Sequence, residues 1–176
     1  MSSAALLEKA RRVRWLVLDV DGVLTDGRII LDGGDNESKA FHVRDGHRIV
    51  TAAREGIRTV FLTGRSSRVV ERRALELGVH RVYQGEHDKG AAMERFFRDE
   101  GALPEQTAYL GDDVVDLPAL RRVGFPAAVG DAVPEVQDAA DWVAAAAGGH
   151  GAVREFIEFI LAAQGRWETV LERYRR

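Results

Sequence analysis

Four short segments of the chain carry side chains suited to moving a phosphoryl group. They are Asp19-Val20-Asp21-Gly22, Leu62-Thr63-Gly64-Arg65, Lys89, and Gly111-Asp112-Asp113-Val114-Val115-Asp116. Asp19 can attack phosphorus as a carboxylate, forming an aspartyl-phosphate that water later cleaves. Two anions repel, so a cation is required, and an all-oxygen acidic site suits Mg2+. Mg2+ takes near-octahedral oxygens at ~2.0–2.1 Å and keeps several waters, so two or three protein ligands suffice. Asp19 and Asp112 are the obvious carboxylates. Asp21 lies two residues on, and extended backbone would turn it to the same side as Asp19. There it can protonate the leaving alkoxide and then deprotonate the attacking water. Thr63 and the backbone N–H of Gly64 precede a helix, where free amides and the helix dipole attract phosphate. Lys89 adds a point charge for the phosphoryl oxygens and for Asp19. Singly, each segment has an ordinary explanation as a strand running into a turn or a solvated charge at a helix start. Their joint occurrence, in this order, points to catalysis.

The elements that must hold these groups follow from periodicity. Apolar runs of strand length alternate with stretches of helical period, the pattern of βαβ units and a parallel sheet. Strands are predicted at residues 15–20, 59–62, near 82, at 107–110, near 127–129 and at 142–143. The first, WLVLDV, is near-continuously apolar, as a strand buried on both faces should be. Residues 29–31 and 39–43 flank Asp32-Gly33-Gly34-Asp35-Asn36, which reads as a hairpin turn. Helices are predicted from an Asp45 N-cap to Gly56, over 66–77 ended by Gly78, from an Asp88 cap to 100, over 117–122, and over 151–163. The fold class is α/β: a three-layer doubly wound parallel sheet with one inserted β-hairpin, as a single domain over 1–176. The hairpin occupies about 28–43 and a C-terminal helix and tail about 151–176. In such sheets ligands bind beyond the carboxyl ends of the strands, where all four segments fall.

Composition narrows the function further. With 25 basic and 28 acidic residues the net charge is −3 and interspersed, so no basic face for nucleic acid stands out. The absence of cysteine excludes a disulfide framework, a thiol nucleophile and a zinc–thiolate site. The N-terminus lacks the apolar stretch of a signal peptide, and no apolar run approaches the ~20 residues that span a bilayer. A cytoplasmic protein acting on a small phosphorylated molecule, without membrane or nucleic-acid partners, is the expectation.

The segments DVDGVLTDG, KAFHVRDG, TGRSS, VYQGEHDK, AYLGDDVVDLP and GGHGAVRE resemble the haloacid-dehalogenase phosphatase superfamily. Within it they are most similar to the 3-deoxy-D-manno-octulosonate 8-phosphate phosphatase family, which serves lipopolysaccharide synthesis in Gram-negative bacteria. The resemblance runs over residues 15–164. It implies a Mg2+-dependent phosphatase in which Asp19 is nucleophile and metal ligand. Asp21 would be acid/base and lend its backbone carbonyl to the metal, Asp112 would complete the metal's protein ligands, and Thr63 and Lys89 would hold phosphate. It also implies a substrate pocket lined by His42, Val43, Arg44, Asp45 and Gly46, with Gly64, Arg65, Arg73, Lys89 and Asp113. The family often has Arg where His150 stands, which leaves open whether a sugar-acid contact is made there.

Plainer readings stand beside these. Asp45 can be only an N-cap, and Asp113 and Asp116 either helix-start charges or support for Asp112. His47, His80 and His87 show no ligand spacing and read as structural or solvated. Trp142 and Trp167 read as packing, and the segment GRWETVLERYRR as a frayed or solvated helix. A related sialic-acid-type 9-phosphate phosphatase is the alternative substrate class. A phospho-receiver domain places its acidic pair first and its phosphorylated Asp later, the reverse of the order here. A carbon–halogen hydrolase needs no metal or second acid, and an inactive binding domain would have lost one of these groups.

Cover for the site is the remaining question. Residues 26–46 have room only for a hairpin, and 63–89 only for one helix, one strand and their loops. A capless monomer leaves an open site, poor at excluding water. Ile29, Ile30, Leu31 and Phe41 are more apolar surface than an isolated two-stranded ribbon can bury. The resembled family solves this as a homotetramer, with sites completed by neighbouring subunits.

Overall fold

The computed structural model describes residues 3–34 and 37–175. Asp35 and Asn36, in the expected hairpin turn, lie outside the described residues. Helix α1 (Ser3–Arg12) leads into β1 (Trp15–Leu18), followed by the short strands β2 (Ile30–Leu31) and β3 (Glu37–Ser38). Next come α2 (Val43–Arg54), β4 (Arg58–Leu62), α3 (Arg68–Leu77), β5 (Arg81–Tyr83) and α4 (Lys89–Glu100). The chain continues through β6 (Thr107–Gly111), α5 (Leu117–Leu120), β7 (Phe125–Ala128), α6 (Pro134–Ala139), β8 (Trp142–Val143), α7 (Ala152–Ala163) and α8 (Trp167–Glu172).

Six strands form one sheet in the order β5-β4-β1-β6-β7-β8, every neighbouring pair parallel. Every residue of β1 and β6 is buried, so helices cover both faces, as their unbroken apolar runs require. The chain winds from β1 outward to β5, then returns to β1's other side with β6. This reversal opens a crevice at the carboxyl ends of β1 and β6, the usual ligand position in such sheets. On one side α2 and α1 pack on α7, and on the other α4 packs on α5. Tyr109, Phe61, Phe96, Phe125 and Phe156 are the largest side chains sealed in the core. Trp142 stacks on Phe156 with ring centroids 4.8 Å apart, so it packs, as expected. No helix among the described residues is long and apolar enough to cross a membrane.

Several boundaries differ from expectation for identifiable reasons. The second hairpin arm is Glu37–Ser38, not 39–43, because Phe41 turns inward against the core and Val43 already begins α2. Asp45 is not the N-cap of α2; His42 holds that place. The Asp45 carboxylate instead accepts the Arg154 N–H at 2.8 Å and caps α7, 109 residues away. The C-terminal segment is not a solvated helix. Val170 of α8 is buried, the Arg48 guanidinium lies 4.8 Å over Trp167, and Arg173 pairs with Glu55 at 2.7 Å. Helix α6 begins with Pro134 at its first turn, a start signal present in the sequence.

Candidate active site

Asp19 follows β1, Thr63 follows β4, Lys89 opens α4 and Asp112 follows β6, so all four stand along one edge of the sheet. Together with Asp21, Gly64, Arg65 and Asp113 they line one cleft of about 220 Å3. The cleft is also lined by Glu86, His87 and Val115, which lie inside the motif segments but have no site role assigned by the sequence. His87 therefore sits at the site and is not merely solvated. Its signal was position alone, two residues before Lys89 in a strand-end loop.

The floor of the cleft is a buried network of charge. Lys89 Nζ lies 2.9 Å from Asp19 Oδ1 and 2.5 Å from Asp116 Oδ1. Tyr109 donates its hydroxyl to the same Asp116 oxygen at 2.6 Å. The Asp112 N–H donates to Asp116 Oδ2 at 2.9 Å. Asp116 is 0% exposed, and of the two readings left open for it, this bonding makes it a support, for Lys89 as well as Asp112. Asp113 accepts the Val114 N–H at 2.7 Å and forms a reciprocal cap with Asp116 over the turn that follows β6.

Two glycines let the carboxylates approach. A Cβ on Gly22, whose φ is +93°, would collide with the Asp112 carboxylate, and one on Gly111 would fall 2.6 Å from Asp116 Oδ2. Gly148 and Gly149 press on the backbone of Gly22 and Thr25, so the Gly148–Gly151 loop buttresses the turn after Asp19. His150 is exposed, and its Nδ1 lies 2.8 Å from the Gly148 carbonyl oxygen.

Electrostatics mark the same spot. Burial pushes the Asp19 carboxyl up to about 7, with the Asp116 charge adding to the rise and Lys89 opposing it. Burial, and then the Asp19 and Asp116 charges, push Asp112 up to about 8. Burial alone would lower Lys89, but Asp19 and Asp116 outweigh it and hold the ammonium above its ordinary value. Burial and Asp116 raise Tyr109 well above the usual phenol range, so it stays a donor. Asp19, Asp112 and Asp116 each offer an oxygen, all within 4.8 Å of one another. Asp112 Oδ1 is buried with no hydrogen-bond partner. Crowded carboxylates with an orphaned oxygen fit a hard divalent cation, which would relieve both repulsion and desolvation. The Asp21 carboxylate is not in this cluster. It faces Lys39, with the Thr63 hydroxyl a long 3.5 Å away, so of Asp21's own groups only the backbone carbonyl remains for a cation.

The residues expected around the sugar fall into a second group. Arg65 is at the cleft, bonded to Glu37 Oε1 at 3.0 Å. Arg73 is outside it, beside a depression lined by Phe41, Val43, Val69, Arg72 and Glu76. Arg73 pairs with Glu76 at 2.9 Å, lies over Phe41 and leans on Gly46, where a side chain would collide with it. Asp45 and Gly46 are buried, Val43 and Arg44 exposed, and His42 Nδ1 is 3.9 Å from Asp45 Oδ2. Within one chain, residues 42–46 and Arg73 thus do not line the cleft that holds Asp19.

A buried carboxylate at the switch of a parallel sheet, backed by Lys, Thr and an acidic cluster, is the arrangement of the haloacid dehalogenase-like hydrolases. A model of that family matches residues 76–157. Closer relatives cover nearly everything. The chain is 43% identical over 164 residues to the 3-deoxy-D-manno-octulosonate 8-phosphate phosphatase KdsC of Escherichia coli K12, covering 93% of this chain and 87% of that protein. Its structure is similar to that enzyme from Moraxella catarrhalis, solved in complex with a magnesium ion, a phosphate ion and a KDO molecule. That match has TM-score 0.96 and 36% identity over 98% of this chain and 99% of that one. A probable YrbI family phosphatase from Pseudomonas syringae matches with TM-score 0.96 and 40% identity, over 99% of both chains. The chain belongs to the 3-deoxy-D-manno-octulosonate 8-phosphate phosphatase family of haloacid dehalogenase-like hydrolases.

Proposed function

We propose that the protein removes phosphate from 3-deoxy-D-manno-octulosonate 8-phosphate through an aspartyl-phosphate on Asp19. The observation that carries this reading is the convergence of Asp19, Asp112 and Asp116 around the buried Lys89 at the floor of the cleft. Asp19 and Asp112, with the Asp21 carbonyl, would hold Mg2+, which supplies the positive charge that lets one anion approach another. Lys89 fixes Asp19 for attack and shares its charge with the phosphoryl oxygens. Thr63 and the Gly64 N–H receive the remaining oxygens. The Asp19–phosphorus bond forms as the phosphorus–sugar oxygen bond breaks, and a proton from Asp21 goes to the leaving oxygen. Water then attacks phosphorus, its proton returns to Asp21, and Asp19 is released.

A cleft of about 220 Å3 lies below the ~300–1,000 Å3 of ordinary ligand pockets. It takes the phosphate end and leaves the sugar acid outside. Ile29, just before β2, and Ile30 and Leu31, on it, are 52%, 50% and 67% exposed, and the described residues leave them uncovered. Packed in a homotetramer, they would be buried and would roof the cleft of another subunit, and His42, Val43, Arg44 and Arg73 would then face substrate there, with the buried Asp45 and Gly46 supporting them from behind. The same reading places the protein in the cytoplasm, where phosphorylated sugar acids are made and consumed.

A phosphate-release screen with Mg2+ tests it, comparing 3-deoxy-D-manno-octulosonate 8-phosphate, sialic-acid-type 9-phosphates and simple sugar phosphates. The octulosonate ester is expected to give the highest kcat/KM. A sialic-acid-type ester turning over faster would reassign the substrate, and release from none of the sugar acids would refute the reading.

A further inference from the structure

We propose that Lys39, carried on the hairpin, is a positioning residue that locks the carboxylate of Asp21 in place for proton transfer. This rests on the reading of Asp21 as acid and base. The Lys39 side chain is 1% exposed, although the hairpin around it is largely open to solvent. Its ammonium contacts Asp21 Oδ1 and lies 3.3 Å from Glu37 Oε1, the oxygen that also receives Arg65 Nη2. A buried ammonium is costly unless paired, and breaking such a pair strands a charge. Lys39 therefore holds Asp21 firmly from the hairpin side, while Thr63 stands 3.5 Å from the other oxygen. The two contacts limit Asp21 to one orientation. Glu37 links the clamp to Arg65, so the hairpin base, the loop after β1 and the loop after β4 are joined through one ion-pair chain. Lys39 does not line the cleft, so its effect on the reaction passes through Asp21.

The alternative is that Lys39 merely staples the hairpin down. The two roles separate by leaving group. Phenyl and p-nitrophenyl phosphate have nearly the same shape, but p-nitrophenolate departs without a proton and phenolate needs one. The kcat/KM of each reports only steps up to departure of the leaving group, and the ratio of the two cancels any loss of folded enzyme. The holoenzyme with Mg2+ is assayed as wild type, Asp21→Asn, Lys39→Met and Lys39→Gln, the last keeping length and donors without charge. A positioned acid contributes roughly 10²–10⁴-fold. Lys39→Met and Lys39→Gln are each expected to lose about tenfold or more on phenyl phosphate and less than about threefold on p-nitrophenyl phosphate. Asp21→Asn should show the same selectivity, more strongly. Equal losses on both esters in the Lys39 variants, or no loss, while Asp21→Asn stays selective, would overturn the positioning role alone. An unselective Asp21→Asn would remove the acid role and this inference with it.

Discussion

At the carboxyl edge of the sheet three charged side chains, Asp19, Lys89 and Asp116, are buried. In the hairpin three large apolar ones, Ile29, Ile30 and Leu31, are exposed. Both placements run against ordinary solvation, and they are resolved differently. The charges are satisfied inside the chain, by one another, by Tyr109 and by the Asp112 N–H. The apolar arm is left half or more exposed by the described residues and is held at its base by Lys39 and Glu37. The groups proposed to make and break bonds thus come together in one subunit, and recognition of the sugar acid is proposed to need several.

Four changes probe that division, from the largest effect to the smallest. Asp19→Asn strikes the complete half and should lower turnover about a thousandfold or more on every phosphate ester, a barrier rise of at least ~4 kcal/mol. Steady-state phosphate release measures it, and a near-normal variant would break the mechanism. Arg73→Ala strikes the other half. It should raise KM for the octulosonate ester by about tenfold and leave p-nitrophenyl phosphate nearly unchanged, since only the former offers a second anion for an Arg side chain to pair with. Equal changes in KM would remove Arg73 from substrate recognition.

The third concerns pH. Asp19 and Asp112 are raised to about 7 and about 8 from an unfolded value near 3.8. Between those limits the folded chain holds more protons than the unfolded one. The metal-free protein should therefore lose stability as pH rises through the window, on account of these groups. Mg2+ binding must displace those protons, so the rise in Tm at a fixed Mg2+ concentration should be larger at pH 8 than at pH 6. Calorimetry with and without the cation checks this, and a Mg2+ effect independent of pH would mean the carboxylates are not its ligands. The smallest effect is Tyr109→Phe, which removes one bond to a charged, buried Asp116 and should cost about 1.5–3 kcal/mol in denaturant unfolding. No measurable cost would show that Lys89 and the backbone amides hold Asp116 unaided.

The sheet and the carboxyl-edge residues were legible because each sits where a buried apolar run ends or, for Lys89, where a capped helix begins, both local signals. Gly78 and Asp88 marked their helix ends for the same reason. What was not legible depended on partners far along the chain. Asp45 caps a helix 109 residues away, and nothing in its neighbourhood separates that from an N-cap of its own. Lys39 reaches Asp21 across 18 residues with no fixed spacing to announce it. The hairpin's second arm was misplaced because Phe41 and Val43 alternate like a strand, yet one packs inward and the other starts a helix. Tyr109 looked like any core aromatic until its hydroxyl met Asp116.

The division between the two regions is tested most directly by one double variant, Ile29→Asp with Leu31→Asp, which leaves every charged residue of the cleft in place. Its mass in solution is measured by ultracentrifugation at assay concentration, alongside Mg2+-dependent kcat/KM on two substrates. The expected result is a monomer that keeps its p-nitrophenyl phosphatase activity within about threefold and loses about a hundredfold on the octulosonate ester, ~2.7 kcal/mol of transition-state binding. A monomer fully active on both substrates, or one inactive on both while still folded, would contradict it.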